Sequence, residues 1–242
     1  MRRLLFFLLI LLLMVSCRLA RESNTSVGGN IGRASGRLLK LEEVGPGNSI
    51  TLDSVILDES GNFTFRFVLK ETGLYLLSLT GNNRLVLELR PGDTLRITSS
   101  DGSKLQDAMI TGSVSSSDMK QFFDTTFRNR KIYNSLQSSL IIHQDDPDFA
   151  ELSKKLDESL KPIWENQRAL ETAYLERHLN SLTSLLILNQ GIGTSPILTF
   201  HTDSVYFLKL DSSLGRAFPG NKHAVFHHNR ILQERALESM KK

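Results

Sequence analysis

The sequence predicts an α+β protein, an N-terminal antiparallel β-sandwich followed by an all-helical region. Two observations carry this expectation. Between Val27 and Gly112 short β-prone runs alternate with clusters of turn residues, and beyond Gly112 the apolar residues recur at helical spacing. A third observation, an apolar leader from Leu4 to Val15, sets a targeting segment ahead of both halves.

The composition suits a folded chain. With 242 residues, 40% hydrophobic and 23% charged, there is room for one large or two small domains, and an acidic disordered chain is excluded. Sixteen Gly and 6 Pro exclude a collagen-like composition. The single cysteine excludes an internal disulfide framework, a CxxC redox pair and a four-cysteine zinc site.

Residues 1–16 have the layout of a secretory signal: Arg2 and Arg3, the apolar run, then Ser16 before Cys17. The run falls short of the roughly 20 residues that span a bilayer as a helix. Its end, Leu13-Met14-Val15-Ser16-Cys17, resembles a bacterial lipobox, in which the cysteine becomes the acylated first residue of the mature protein. The alternative is an ordinary signal peptide with a chance cysteine. On the lipoprotein reading Cys17 carries the lipid that partners the protein with a membrane, since more than one acyl chain gives stable anchoring. Residues 17–26 are then a short polar tether.

The expected strands are Arg37 to Leu41, Ile50 to Leu57, Asn62 to Leu69, Leu74 to Leu79, Arg84 to Leu89, Thr94 to Thr98 and Ala108 to Thr111. Turns stand between them at Gly45-Pro46-Gly47-Asn48, Asp58-Glu59-Ser60-Gly61, Thr72-Gly73, Gly81-Asn82-Asn83, Arg90-Pro91-Gly92-Asp93 and Asp101-Gly102. Phe63, Phe65 and Phe67 alternate with Thr64 and Arg66, which puts three aromatics on one sheet face as core. Gly28-Gly29-Asn30-Ile31-Gly32 lacks the spacing of a dinucleotide loop and the Lys-Ser/Thr of a P-loop, and is expected as a tight turn at a strand start.

Four pieces of this half carry a resemblance: Leu52-Asp53-Ser54-Val55, then Asp58-Glu59-Ser60-Gly61-Asn62-Phe63-Thr64-Phe65, then Gly73-Leu74-Tyr75, and Leu87-Glu88-Leu89-Arg90-Pro91-Gly92-Asp93. In order and spacing, residues 27–112 resemble DUF4369, a domain at the front of many Bacteroidetes thiol-disulfide oxidoreductase lipoproteins. The resemblance implies a β-domain, then helices, then a thioredoxin domain with a CxxC. Here the chain ends at Lys242, where that domain would begin, and a second cysteine is absent. Dithiol exchange needs an attacking and a resolving thiol, so the family's chemistry does not carry over to these residues. The resemblance also implies a thioredoxin-like envelope protein as a possible partner. The absence of an acidic run after Cys17, which in such lipoproteins marks export to the cell surface, implies the periplasmic side, and Arg rather than Asp at position 18 implies the outer membrane by analogy with the enterobacterial sorting rule.

In residues 113–242, Ser115 to Ser117 are expected to cap a helix whose stripe is Met119, Phe122, Phe123, Phe127, Ile132, Tyr133, Leu136 and Leu140. Asp146-Pro147 is expected to cap a second, with Phe149, Leu152, Leu156, Leu160 and Ile163 on one face and Leu170, Tyr174 and Leu179 beyond. Pro162 should kink or split it. Leu182 to Leu188, Asp203 to Leu214 and Lys222 to Glu238 complete the helices, with Asn189 to Gly193, Gly215 and Pro219-Gly220 as breaks.

Little here points to catalysis, and no cofactor is expected. His223 and His227 are four apart on a helix and are the candidate metal ligands, although HExxH and a third ligand are missing. A solvated or packing cluster with His228 is the plainer expectation, and His143, His178 and His201 are isolated residues expected at the surface. No GxSxG surrounds a serine, and Pro147 defeats a calcium loop at Asp145, Asp146 and Asp148, where helix capping is expected. Four triplets match the Bacteroidetes periplasmic O-glycosylation pattern, with acceptors Ser54, Thr94, Thr125 and Ser204. Cleavage after Ser16 removes two arginines, so the net charge falls from +3 to +1. With basic and acidic residues mixed along the chain, nucleic acid is not an expected partner. The expected function is a membrane-anchored, non-catalytic binding or scaffolding module of the envelope. The alternative is a shortened thiol-disulfide interchange protein working with a separate redox partner.

Overall fold

The computed structural model describes residues 23–80 and 83–240, so Cys17 and the leader lie outside the described residues. Eight strands build the first half: β1 (Thr25–Ile31), β2 (Leu38–Val44), β3 (Ser49–Ile56), β4 (Asn62–Phe67), β5 (Gly73–Ser78), β6 (Arg84–Leu89), β7 (Thr94–Ser99) and β8 (Met109–Thr111). They form two four-stranded sheets, ordered β4-β1-β7-β8 and β3-β2-β5-β6. Alternate residues of each strand turn inward, so Val27, Leu39, Leu41, Phe65, Leu77, Leu87, Leu95 and Ile97 bury between the sheets. Phe63 and Phe65 join this core and Phe67 packs at its margin, as the aromatic alternation predicts.

Two features depart from expectation. The sandwich is antiparallel except for β1 and β7, which run parallel with Val27 opposite Leu95. Parallel neighbours require a long crossover, and the chain between them supplies it by making the second sheet and β4. The Gly28-Gly29 pair is not a turn but the middle of β1. A Cβ on Gly29 would lie 1.8 Å from the carbonyl oxygen of Ile97, so glycine is what lets β7 come this close. As a consequence Thr25 and Ser26, expected in the tether, belong to β1.

The second half holds α1 (Val114–Ile142), α2 (Phe149–Arg177), α3 (Thr183–Leu188), α4 (Phe200–Ala217) and α5 (Lys222–Met240). A hairpin of β9 (Gly191–Ile192) and β10 (Ser195–Pro196) interrupts the all-helical expectation. The cap of α1 is Ser113 rather than Ser115 to Ser117, its hydroxyl accepting from the Ser116 N–H at 3.2 Å. Ser113→Ala should therefore cost about 1 kcal/mol in urea unfolding, the usual worth of such a cap.

Asp146-Pro147 sits in the turn before α2, and Asp146 bonds His143 Nδ1 at 2.7 Å instead of capping. Asp148 takes the cap position without a side-chain bond. Pro162 does not split α2. Pro162 and Glu158, whose carbonyl the proline leaves without a donor, are both exposed, so that carbonyl is not buried unpaired in the core. Gly215, expected as a break, lies inside α4.

The helices do not form a bundle of their own. Leu74, on the outer face of β5, shares one core with Met119, Phe122, Tyr174, Leu182, Ile187, Leu210 and Ile231, and Val44 and Val86 pack against it. The order of layers is thus sheet, sheet, helices. Not all of the α1 stripe is buried: Phe127 and Ile132 are 64% and 50% exposed, beyond the edge of the sheet.

Candidate functional site

Strand β6 is the last strand of its sheet, and its outer edge meets α1. At Glu88 the edge is closed, because Ser116 Oγ accepts from the Glu88 N–H at 3.0 Å and donates to the Glu88 carbonyl at 2.9 Å. From there the strand and the helix diverge and enclose a cleft of about 550 Å³. Its strand wall is Arg84 to Val86, its helix wall includes Met119, Phe123 and Phe127, and the 3-10 turn Leu105–Asp107 contributes Gln106 and Asp107.

Main-chain direction alternates along a strand. Leu85, Leu87 and Leu89 pair with β5, so Val86 and Arg84 direct their N–H and C=O outward, as Glu88 does. Among the described residues no group bonds the main chain of Val86 on that side. Four cations and two carboxylates line the cleft. Lys120 pairs with Asp124 at 2.6 Å, and Arg130 donates to the Gly191 carbonyl at 2.9 Å. Arg128 reaches only the Thr125 hydroxyl, at 3.0 Å, and Arg84 makes no ion pair among the described residues. The arrangement presents an apolar floor, an unpaired strand edge and two uncommitted guanidinium groups. It suits the holding of a chain and offers no nucleophile with an adjacent base.

Two buried polar clusters brace the helices. Glu88 is fully buried and accepts from Ser181 Oγ at 2.5 Å, the Thr183 N–H at 3.1 Å and Arg90 Nη2 at 2.9 Å. Beside them the buried Tyr174 hydroxyl shares a 2.8 Å bond with Thr183, and burial pushes its pKa up to about 12. Between α1 and α2, Asn129 donates to Gln167 at 2.8 Å, and Gln167 donates to Thr126 at 2.9 Å and to Glu171 Oε1 at 3.1 Å. Glu171 Oε2 is buried without a partner, and burial raises its pKa to about 8. These residues were not among the sequence candidates. The available signal was polar residues at core positions of the α2 stripe, where Gln167 and Glu171 continue the spacing of Leu156, Leu160 and Ile163.

The predicted site residues are scattered. His223 and His227 share the buried face of α5. His227 Nε2 lies 3.3 Å from the Phe207 carbonyl, while His223 Nε2 has no partner. Burial holds both imidazoles below the usual histidine pKa, so they pack as neutral rings. Among the described residues no group of three or more His, Cys, Asp or Glu is placed to hold a metal ion.

His178, expected at the surface, stacks on Tyr174 at 4.2 Å with its side chain mostly covered, and burial lowers its pKa. Of the four glycosylation acceptors, Ser54 on β3 and Thr94 on β7 are exposed, whereas Thr125 on α1 and Ser204 on α4 are half-buried. Asp203 of the last triplet is buried and held by Arg168, the Thr199 N–H and the Thr202 hydroxyl. Burial would raise its pKa, but these bonds outweigh it and keep the carboxyl below the usual range.

In comparisons with known proteins, no family model and no curated protein matches the chain. No helix among the described residues is long and apolar enough to cross a membrane.

Proposed function

We propose that the chain is a lipid-anchored, non-catalytic binding module of the bacterial envelope, held through Cys17 at the outer membrane and facing the periplasm. The observation that carries the binding role is the β6–α1 cleft, an open apolar floor beside main chain left unpaired. The anchor is supported by the leader ending in Leu13-Met14-Val15-Ser16-Cys17. Residues 27–112 are assigned to the DUF4369-like domain on the four sequence pieces above, and the two-sheet fold of that stretch fits this assignment.

Expression in a Bacteroidetes host with an alkyne-tagged fatty acid tests the anchor. The mature protein should begin at an acylated Cys17 and fractionate with outer membranes, and Cys17→Ser should abolish the label. An unlabelled protein cleaved elsewhere removes the anchor. Robust turnover by the purified protein in a hydrolase and redox screen would overturn the non-catalytic role.

A further inference from the structure

We propose that the β6–α1 cleft captures an extended acidic-apolar peptide of a partner protein as an added strand on β6. This rests on the reading of the chain as a binding module and names the ligand of that site. Main-chain pairing of this kind gives affinity without demanding a fixed sequence, while side-chain pockets select every second residue.

Three features select this occupant. The first is the edge itself: Val86 and Arg84 offer donors and acceptors in the spacing of a strand, and Ser116 already satisfies the next position, Glu88, as a neighbouring strand would. The second is the opposite wall. Phe123 and Phe127 stand one helical turn apart across the cleft, and 64% of Phe127 is exposed, so apolar side chains on one face of an incoming strand find cover. The third is charge. Arg84 and Arg128 lack carboxylate partners among the described residues, and lining cations outnumber lining carboxylates four to two, which favours an acidic strand over a basic one.

The test uses the full-length protein in detergent and three fluorescent hexapeptides alternating Glu with Val, Leu or Phe. At least one should bind saturably below about 1 mM. Its counterpart with Lys for Glu should bind at least tenfold more weakly, and so should the version methylated at every backbone nitrogen, which keeps the side chains but removes the strand donors. Arg84→Glu leaves three cations and three carboxylates in the lining and should erase the preference between the Glu and Lys peptides, with unchanged thermal melting as the control for folding. Amide shifts on binding should centre on Val86 and Phe123.

Absence of saturable binding by all three peptides overturns the proposal. Equal binding of the methylated peptide overturns the added strand, and an unchanged preference in Arg84→Glu overturns the charge selection. A protein acylated at Cys17 that ignores the peptides fails here alone. A bare Cys17 with peptide bound removes the anchor and leaves the cleft standing.

Discussion

Glu88→Ala should loosen the helical layer from the sandwich and lower stability by about 1–3 kcal/mol, the cost of taking a charged acceptor away from buried donors, since the Arg90 left behind is half exposed. Glu88 stands on β6 with no exposure and collects Ser181, Thr183 and Arg90. Two of these belong to the start of α3 and the loop before it, so one carboxylate ties chain segments about ninety residues apart. Without it the Thr183 N–H keeps only its 3.3 Å bond to Ser181 Oγ, and the Ser181 hydroxyl keeps only Thr183 Oγ1 at 2.6 Å, so both lose their charged acceptor. The single tryptophan, Trp164 on α2, reports the helical layer in urea unfolding. Its transition should move to lower urea while the strand signal follows later. Coincident, unshifted transitions would mean that Glu88 bears no such load.

Glu171→Gln should flatten the pH dependence of stability and strengthen the protein in alkali. The folded carboxyl has a pKa of about 8 against an ordinary value of 4.5, because burial disfavours its charged form. Below pH 4.5 both the folded and the unfolded chain hold the proton, and the site carries no penalty. As the pH rises towards about 8 the unfolded chain releases the proton and the folded chain keeps it, so stability falls through that window. At about 1.36 kcal/mol per pH unit the full loss is of the order of 5 kcal/mol above pH 8. Glutamine keeps the acceptor for Gln167 and cannot ionise, so chemical denaturation at pH 9 should show a gain of a few kcal/mol, with little change at pH 4. An equal effect at both pH values would refute the protonated carboxyl.

Much of the fold was legible because local patterns report which face of an element is buried. The strand runs from Ile50 to Thr111 and the helices after Gly112 were readable from period alone. β1 was missed because Gly28 and Gly29 carry a turn composition. The reason for Gly29 is the close approach of Ile97, some seventy residues away, while Gly28 lies against Phe63 and Thr64 of β4. Gly215 and Pro162 are breakers by type, yet each sits on a helix whose packing outweighs its propensity.

The candidate site was less legible. The histidine pair attracted notice by its spacing, but its environment is set by Phe207 and the core around it. The cleft residues Arg84, Phe123 and Arg128 carry no local signal, since a cleft exists only where a strand edge and a helix diverge.

The sequence by itself determined the division into a strand half and a helical half and the inward faces of most strands, because period and composition act within a few residues. Only the tertiary structure decided that β1 runs parallel to β7, that the helices cover the second sheet, and that Glu88 and Glu171 are buried. It also decided that the β6 edge stays open. Strand partners, desolvation and free edges depend on which distant segments come together, and that is settled by packing over the whole chain.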